Sequence, residues 1–144
     1  MNTAIQNRNN SFKELNLPKK LRETLQVIRN HGPLSSREAK KYFQDNREII
    51  SVASRFTDLR NRGFIRLTDY SYVNPRTNKK CAMYVEMTKD ESLDYSRVAG
   101  QAWSQRISEL ENELYGCNLS IATCNILKEE IKKHKNLIKN LRNI

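Results

Sequence analysis

Chain breakers are scarce here: four glycines and three prolines in 144 residues. That scarcity excludes a low-complexity or loop-dominated chain. The three cysteines, Cys81, Cys117 and Cys124, are an odd number at spacings that fit no zinc module. No apolar run approaches the roughly 18 residues that span a membrane. The opening stretch Met1 to Asn10 is polar and holds no secretory apolar region. These absences set the expectation of a soluble, cytoplasmic protein with reduced thiols and no membrane partner. Acidic residues are also in deficit, 16 Asp and Glu against 26 Lys and Arg, for a net charge of +10. Such a balance favours polyanionic partners, nucleic acid first. Hydrophobic residues make up only 38%, too few for one core filling the whole chain, so a compact part plus an exposed helical part is expected.

Residues 1–10 read as a flexible tail. Ser11 and Glu14 have the spacing of a capping box, with Phe12 and Leu15 on one side. Pro18 suits the first turn of a helix whose buried face is Leu21, Leu25 and Ile28. His31-Gly32-Pro33 ends it. Ser35 and Glu38 form a second capping box, ahead of Ala39, Tyr42 and Phe43. Asp45 or Asn46 caps a third helix with the stripe Ile49, Val52, Ala53, Phe56 and Leu59, closed by Gly63. The period then changes. Phe64 to Thr68 alternates as a strand, and Cys81 to Met87 alternates as a second. Between them, Asn74 to Lys80 is a turn-rich, basic hairpin tip.

Three stretches carry more than periodicity. They are Gly32-Pro33-Leu34-Ser35-Ser36-Arg37-Glu38-Ala39, the run from Ser51 through Arg55, Asp58 and Arg62 to Ile65, and Asn74-Pro75-Arg76-Thr77-Asn78-Lys79-Lys80 followed by Tyr84-Val85. Between Leu21 and Val85, about half the chain, they resemble the winged helix-turn-helix family, in the style of small phage and prophage proteins. The resemblance implies a mainly α fold with a small β-hairpin wing and a recognition helix for double-stranded DNA. The residues support it independently. Once the apolar stripe is assigned, Arg47, Ser51, Ser54, Arg55, Asp58 and Arg62 remain for the outer face of the third helix. Small Ser51 and Ser54 permit close approach to base edges, and Arg55 and Arg47 supply guanidinium groups for guanine or phosphate. Asp58 repels phosphate unless it pairs with Arg62, four residues on, or accepts from a cytosine amino group. Arg60 and Arg62, with Arg76, Lys79 and Lys80 of the wing, are placed for phosphates. From Arg47 to Lys80, eight basic residues face three acidic ones, a net charge half that of the whole chain.

Thr88 to Tyr95 is polar and is expected to link the DNA-binding part (residues 11–88) to a helical part (residues 96–144). From Ser96 the apolar residues Trp103, Ile107, Leu110, Leu114, Cys117, Ile121 and Cys124 repeat as an a/d heptad seam, resumed by Leu127, Ile131, His134, Ile138 and Leu141 after a slip. A continuous helix here is on the order of 70 Å long, and its seam needs a partner. A homodimeric coiled coil is expected, with Trp103, Ile107, Leu110, Leu114, Cys117, Ile121, Cys124, Ile131 and Ile138 at the interface. The alternative is a helical hairpin turning in the weak helix formers around Gly116 to Asn118.

Nothing points to catalysis. There is no Gly-rich phosphate loop, nucleophile elbow or histidine–carboxylate cluster. His31 and His134 lack partners at ligand spacing, so neither a metal nor a cofactor is expected. Two functions from different classes follow. One is a homodimeric, sequence-specific DNA-binding regulator of transcription, of phage or mobile-element type, acting in the cytoplasm at the bacterial or host-cell nucleoid. The other is a phage-encoded inhibitor or adaptor that binds a host protein through its C-terminal helix.

Overall fold

The computed structural model describes Glu14 and residues 16–43, 49–116 and 118–142, without the side chains of residues 49–51. The expected tail, the Ser11 cap, the Asp45/Asn46 cap, Arg47 and Cys117 lie outside the described residues. The chain is mainly helical, with one small antiparallel two-stranded sheet. Its elements are α1 (Lys19–His31), α2 (Ser36–Ala39) with a 3-10 turn (Lys40–Tyr42), α3 (Ile49–Asn61), β1 (Ile65–Val73), β2 (Lys80–Glu86), α4 (Lys89–Gly116) and α5 (Ile121–Lys139).

Helix α1 buries Leu21, Thr24, Leu25 and Ile28 and ends where the Gly32 N–H reaches the Ile28 carbonyl at 2.7 Å. A Cβ at Gly32 would lie 2.5 Å from that same oxygen, so the stop requires glycine. Both halves of the Ser35–Glu38 capping box form at the start of α2. Leu21, Leu25 and Ile28 pack with Leu34, Ala39, Val52, Phe56, Leu59, Phe64 and Ile65 in one core. Ala53, expected in that stripe, is exposed. Strand β1 runs five residues further than its alternating pattern predicts. Its register is regular from Ile65↔Glu86 to Leu67↔Tyr84, breaks, and resumes from Ser71↔Ala82 to Val73↔Lys80. The break resets the side-chain alternation, which is why periodicity misses the outer half.

The expected linker is instead the start of α4. Thr88 and Glu91 form a reciprocal capping box, with the Thr88 N–H on Glu91 Oε1 at 3.0 Å and the Glu91 N–H on Thr88 Oγ1 at 3.2 Å. The expected continuous helix is not formed. Helix α4 ends at Gly116, Ser120 caps α5 through the Thr123 N–H, and α5 folds back along α4. Leu110, Leu114, Leu127 and Ile131 form a second core, with Ile107, Leu119 and Cys124 packed on it. The seam thus covers itself within one chain.

The hairpin also closes the corner after α3. Gly63 sits at φ +84°, and the Gly63 N–H to Arg60 carbonyl and Phe64 N–H to Leu59 carbonyl bonds make a Schellman end. The next four carbonyls take donors from the C-terminal half or from the segment leading into it. Asn61 accepts from the Tyr95 hydroxyl (3.2 Å), Arg62 from the Arg142 N–H (2.8 Å), Gly63 from Ser92 Oγ (2.7 Å) and Phe64 from the Met87 N–H (2.8 Å). The Arg142 guanidinium lies over the Phe64 ring, 4.8 Å from its centroid, and burial pushes its pKa down. Arg29 is held protonated above its ordinary range by Glu86 and Glu14.

Two predictions follow from this packing. Ser92→Ala removes a buried donor to the Gly63 carbonyl, and urea denaturation should show a loss of roughly 1–3 kcal/mol. The Glu91 carboxyl is held below its ordinary value, first by the Thr88 N–H, then by the Thr88 hydroxyl and Arg66. Its contribution is therefore present above the unfolded value, about pH 4.3, and disappears as pH falls through the folded one. Stability measured against pH should decline less steeply in acid for Glu91→Gln than for the wild type.

Candidate nucleic-acid interface

The residues expected to bind DNA divide into three groups. Arg47 lies outside the described residues, and Ser51 is placed only as a residue of α3. Ser54 and Arg60 are exposed on α3, and Arg76, Lys79 and Lys80 are exposed at the hairpin tip. Arg55 and Arg62 are otherwise engaged.

Arg55 corrects the expectation of an outward guanidinium. It is only 7% exposed, and its Cζ lies 5.5 Å from the centroid of the Phe43 ring. The long aliphatic stem and a cation–π contact let arginine bury where polarity alone predicts exposure. Arg62 donates from Nε to Asp58 Oδ1 at 3.0 Å. That pairing removes the like-charge objection to Asp58 and also draws Arg62 away from solvent. Arg66, at the start of β1, pairs with Glu91.

What α3 presents outward is therefore small and polar. Ala53, Ser54, Thr57 and Arg60 are exposed, and Thr57 Oγ1 rests on the Ala53 carbonyl at 3.2 Å. Thr57 was not singled out from the sequence; its i+3 spacing from Ser54 is the signal that places it on the same face. The hairpin tip is a folded turn built on Asn74, which is buried. The Asn74 Oδ1 accepts the Arg76 N–H at 2.9 Å, its N–H reaches the Lys79 carbonyl, and its carbonyl accepts the Asn78 N–H at 2.8 Å. Asn78 has φ 56°, a left-handed conformation that asparagine tolerates well. Arg60, Arg76, Lys79 and Lys80 form no ion pair with a carboxylate among the described residues. Leu34 joins β2 through an isolated antiparallel bridge, its N–H on the Tyr84 carbonyl at 3.0 Å and the Tyr84 N–H on its carbonyl at 2.8 Å.

The expected dimer interface is largely spent inside the chain. Leu110, Leu114 and Ile131 are buried in the hairpin, Ile107 and Cys124 pack on them, and Trp103 and Ile138 are half-buried. Cys117 lies outside the described residues. Of that list only Ile121 is exposed, at 82%. Cys81 and Cys124 are free thiols, and no His, Cys, Asp and Glu cluster fit for a metal ion occurs among the described residues. No described helix is long and apolar enough to cross a membrane.

Because Arg55 packs against Phe43, Arg55→Ala is a stability variant. Its melting temperature should fall, by an amount matching a loss of about 0.5–2 kcal/mol. Comparison of the chain with protein-family models, curated proteins and solved structures finds no match.

Proposed function

We propose that this protein binds double-stranded DNA through a winged helix-turn-helix unit, as a transcriptional regulator of phage or mobile-element type. The order helix, bridging residue, helix, helix, strand, wing, strand supports the winged-helix assignment, with Leu34 as the short third strand against Tyr84. The observation that carries the function is the set of cations that have no carboxylate partner among the described residues, Arg60 on α3 and Arg76, Lys79 and Lys80 on the wing. They flank an α3 face whose small side chains, Ser54 and Thr57, admit close approach to base edges. Phosphates would be held by the four cations and bases approached by Ser54 and Thr57. Homodimerisation would use the outer surface of the hairpin, since the seam is occupied.

The second reading, a binder of a host protein, is favoured by the distal end of the hairpin. Tyr115 and Ile121 are more than 80% exposed there, and Ile126 is 65% exposed. Large apolar side chains so placed suit a protein partner.

The deciding test uses the full chain, because a fragment ending at Thr88 lacks Ser92, Tyr95 and Arg142 and so leaves the α3 corner uncapped. Selection from a random duplex pool at two salt concentrations should enrich an inverted repeat, with affinity falling steeply as salt rises. Arg60→Ala and the combined Lys79→Ala, Lys80→Ala change should each flatten that salt dependence. Retention without an enriched motif would reduce the DNA reading to nonspecific attraction and favour the protein-binding one.

A further inference from the structure

Between the start of α2 and the outer half of the wing lies a cleft of about 280 Å³, lined by Arg37, Glu38, Tyr72, Asn74, Pro75 and Arg76. Both walls are fixed by hydrogen bonds. On the α2 side, the Leu34–Tyr84 bridge anchors the chain three residues before Arg37, and the Ser35–Glu38 capping box sets the first turn. On the wing side, Asn74 organises the turn that carries Arg76. Glu38 is the one carboxylate in the lining, and its Oε1 is committed to the Ser35 N–H and hydroxyl, both at 3.2 Å. Arg37 and Arg76 are exposed and form no ion pair among the described residues. Two guanidinium groups, one carried by α2 and one by the hairpin tip, thus line one cleft whose backbone is fixed on both sides, together with the half-buried Tyr72.

We propose that this cleft is a two-sided clamp for a single phosphodiester of the DNA backbone, gripped by Arg37 from α2 and Arg76 from the wing. The inference rests on the DNA-binding reading and adds Arg37 to it. The planar guanidinium fork matches phosphate oxygens bidentately, a geometry that lysine lacks. A phosphate held between α2 and the wing fixes the register of α3 along the duplex, because backbone contacts position what base contacts then read. The wing in this arrangement grips one point of the backbone and does not simply lie along it.

The test is duplex binding by the full chain, followed by fluorescence anisotropy across a salt series. The variants are Arg37→Ala, Arg37→Lys, Arg76→Ala and the Arg37→Ala/Arg76→Ala double, with Arg60→Ala as a variant outside the cleft. Both clamp side chains are exposed, so melting temperatures should stay at the wild-type value. Each single alanine change should weaken binding about tenfold, the worth of a charge-assisted hydrogen bond, and lower the salt slope by about one. The double variant should be little weaker than either single, because both residues grip one phosphate. Arg37→Lys should recover only part of the loss. Wild-type binding by Arg37→Ala, with Arg76→Ala weakened, overturns the clamp and leaves the DNA reading standing. Unchanged binding by every variant, Arg60→Ala included, overturns the DNA reading itself. If millimolar inorganic phosphate raises the melting temperature, Arg37→Ala abolishes that rise, and duplex binding is unaffected, the site takes a free anion and the backbone clamp is overturned.

Discussion

The end of α3 is the point on which both halves of the molecule depend. A helix leaves its last four carbonyls without intrahelical donors, and α3 runs into a corner that is buried at Gly63 and Phe64. Its Schellman end satisfies Leu59 and Arg60. The remaining acceptors, Asn61 through Phe64, are met by Tyr95, Arg142, Ser92 and Met87. Three of these donors belong to α4 or to the chain after α5. The C-terminal hairpin is therefore part of the support for α3, and Arg142 brings the last described turn of the chain back onto the same corner.

This arrangement changes how the C-terminal half relates to the rest. A long unpartnered helix would need a second chain to cover its apolar stripe. Folding back at Gly116 lets Leu110 and Leu114 meet Leu127 and Ile131 within one chain, at the cost of a short turn. The exposed apolar residues that remain, Tyr115, Ile121 and Ile126, cluster in sequence around that turn, far along α4 from the corner. Exposed apolar surface is thus displaced from the seam to the distal end. At the other end, charge is sorted by pairing. Arg29, Arg62 and Arg66 are tied to carboxylates, while Arg37, Arg60, Arg76, Lys79 and Lys80 form no ion pair among the described residues.

Much of this was legible in the residues. Capping boxes at Ser35 and the stops at Gly32 and Gly63 fix local backbone through contacts only a few residues apart, and local contacts are what a sequence states directly. The Asp58–Arg62 pair was legible for the same reason. A capping box at Thr88 and Glu91 carried the same signal, and it marks as helix the polar stretch that composition suggests is a linker. Arg55 was misplaced because polarity ranks it outward, whereas burial depends on Phe43, a residue twelve positions away whose ring covers it.

The sequence by itself determined the order of elements from α1 through β2, the core stripe of α1, most of that of α3, the basic hairpin tip and the mainly helical character. It also determined that the C-terminal region has one apolar seam. Only the tertiary structure decided whether that seam meets another chain or itself, since a heptad pattern is equally satisfied by either partner and Ser120 merely permits the turn. It likewise decided which cations remain available, because an arginine's partner is set by what the fold brings within about 4 Å. The cleft between α2 and the wing, and the hairpin's capping of α3, join residues tens of positions apart. Such pairings follow from chain topology, and no local pattern encodes them.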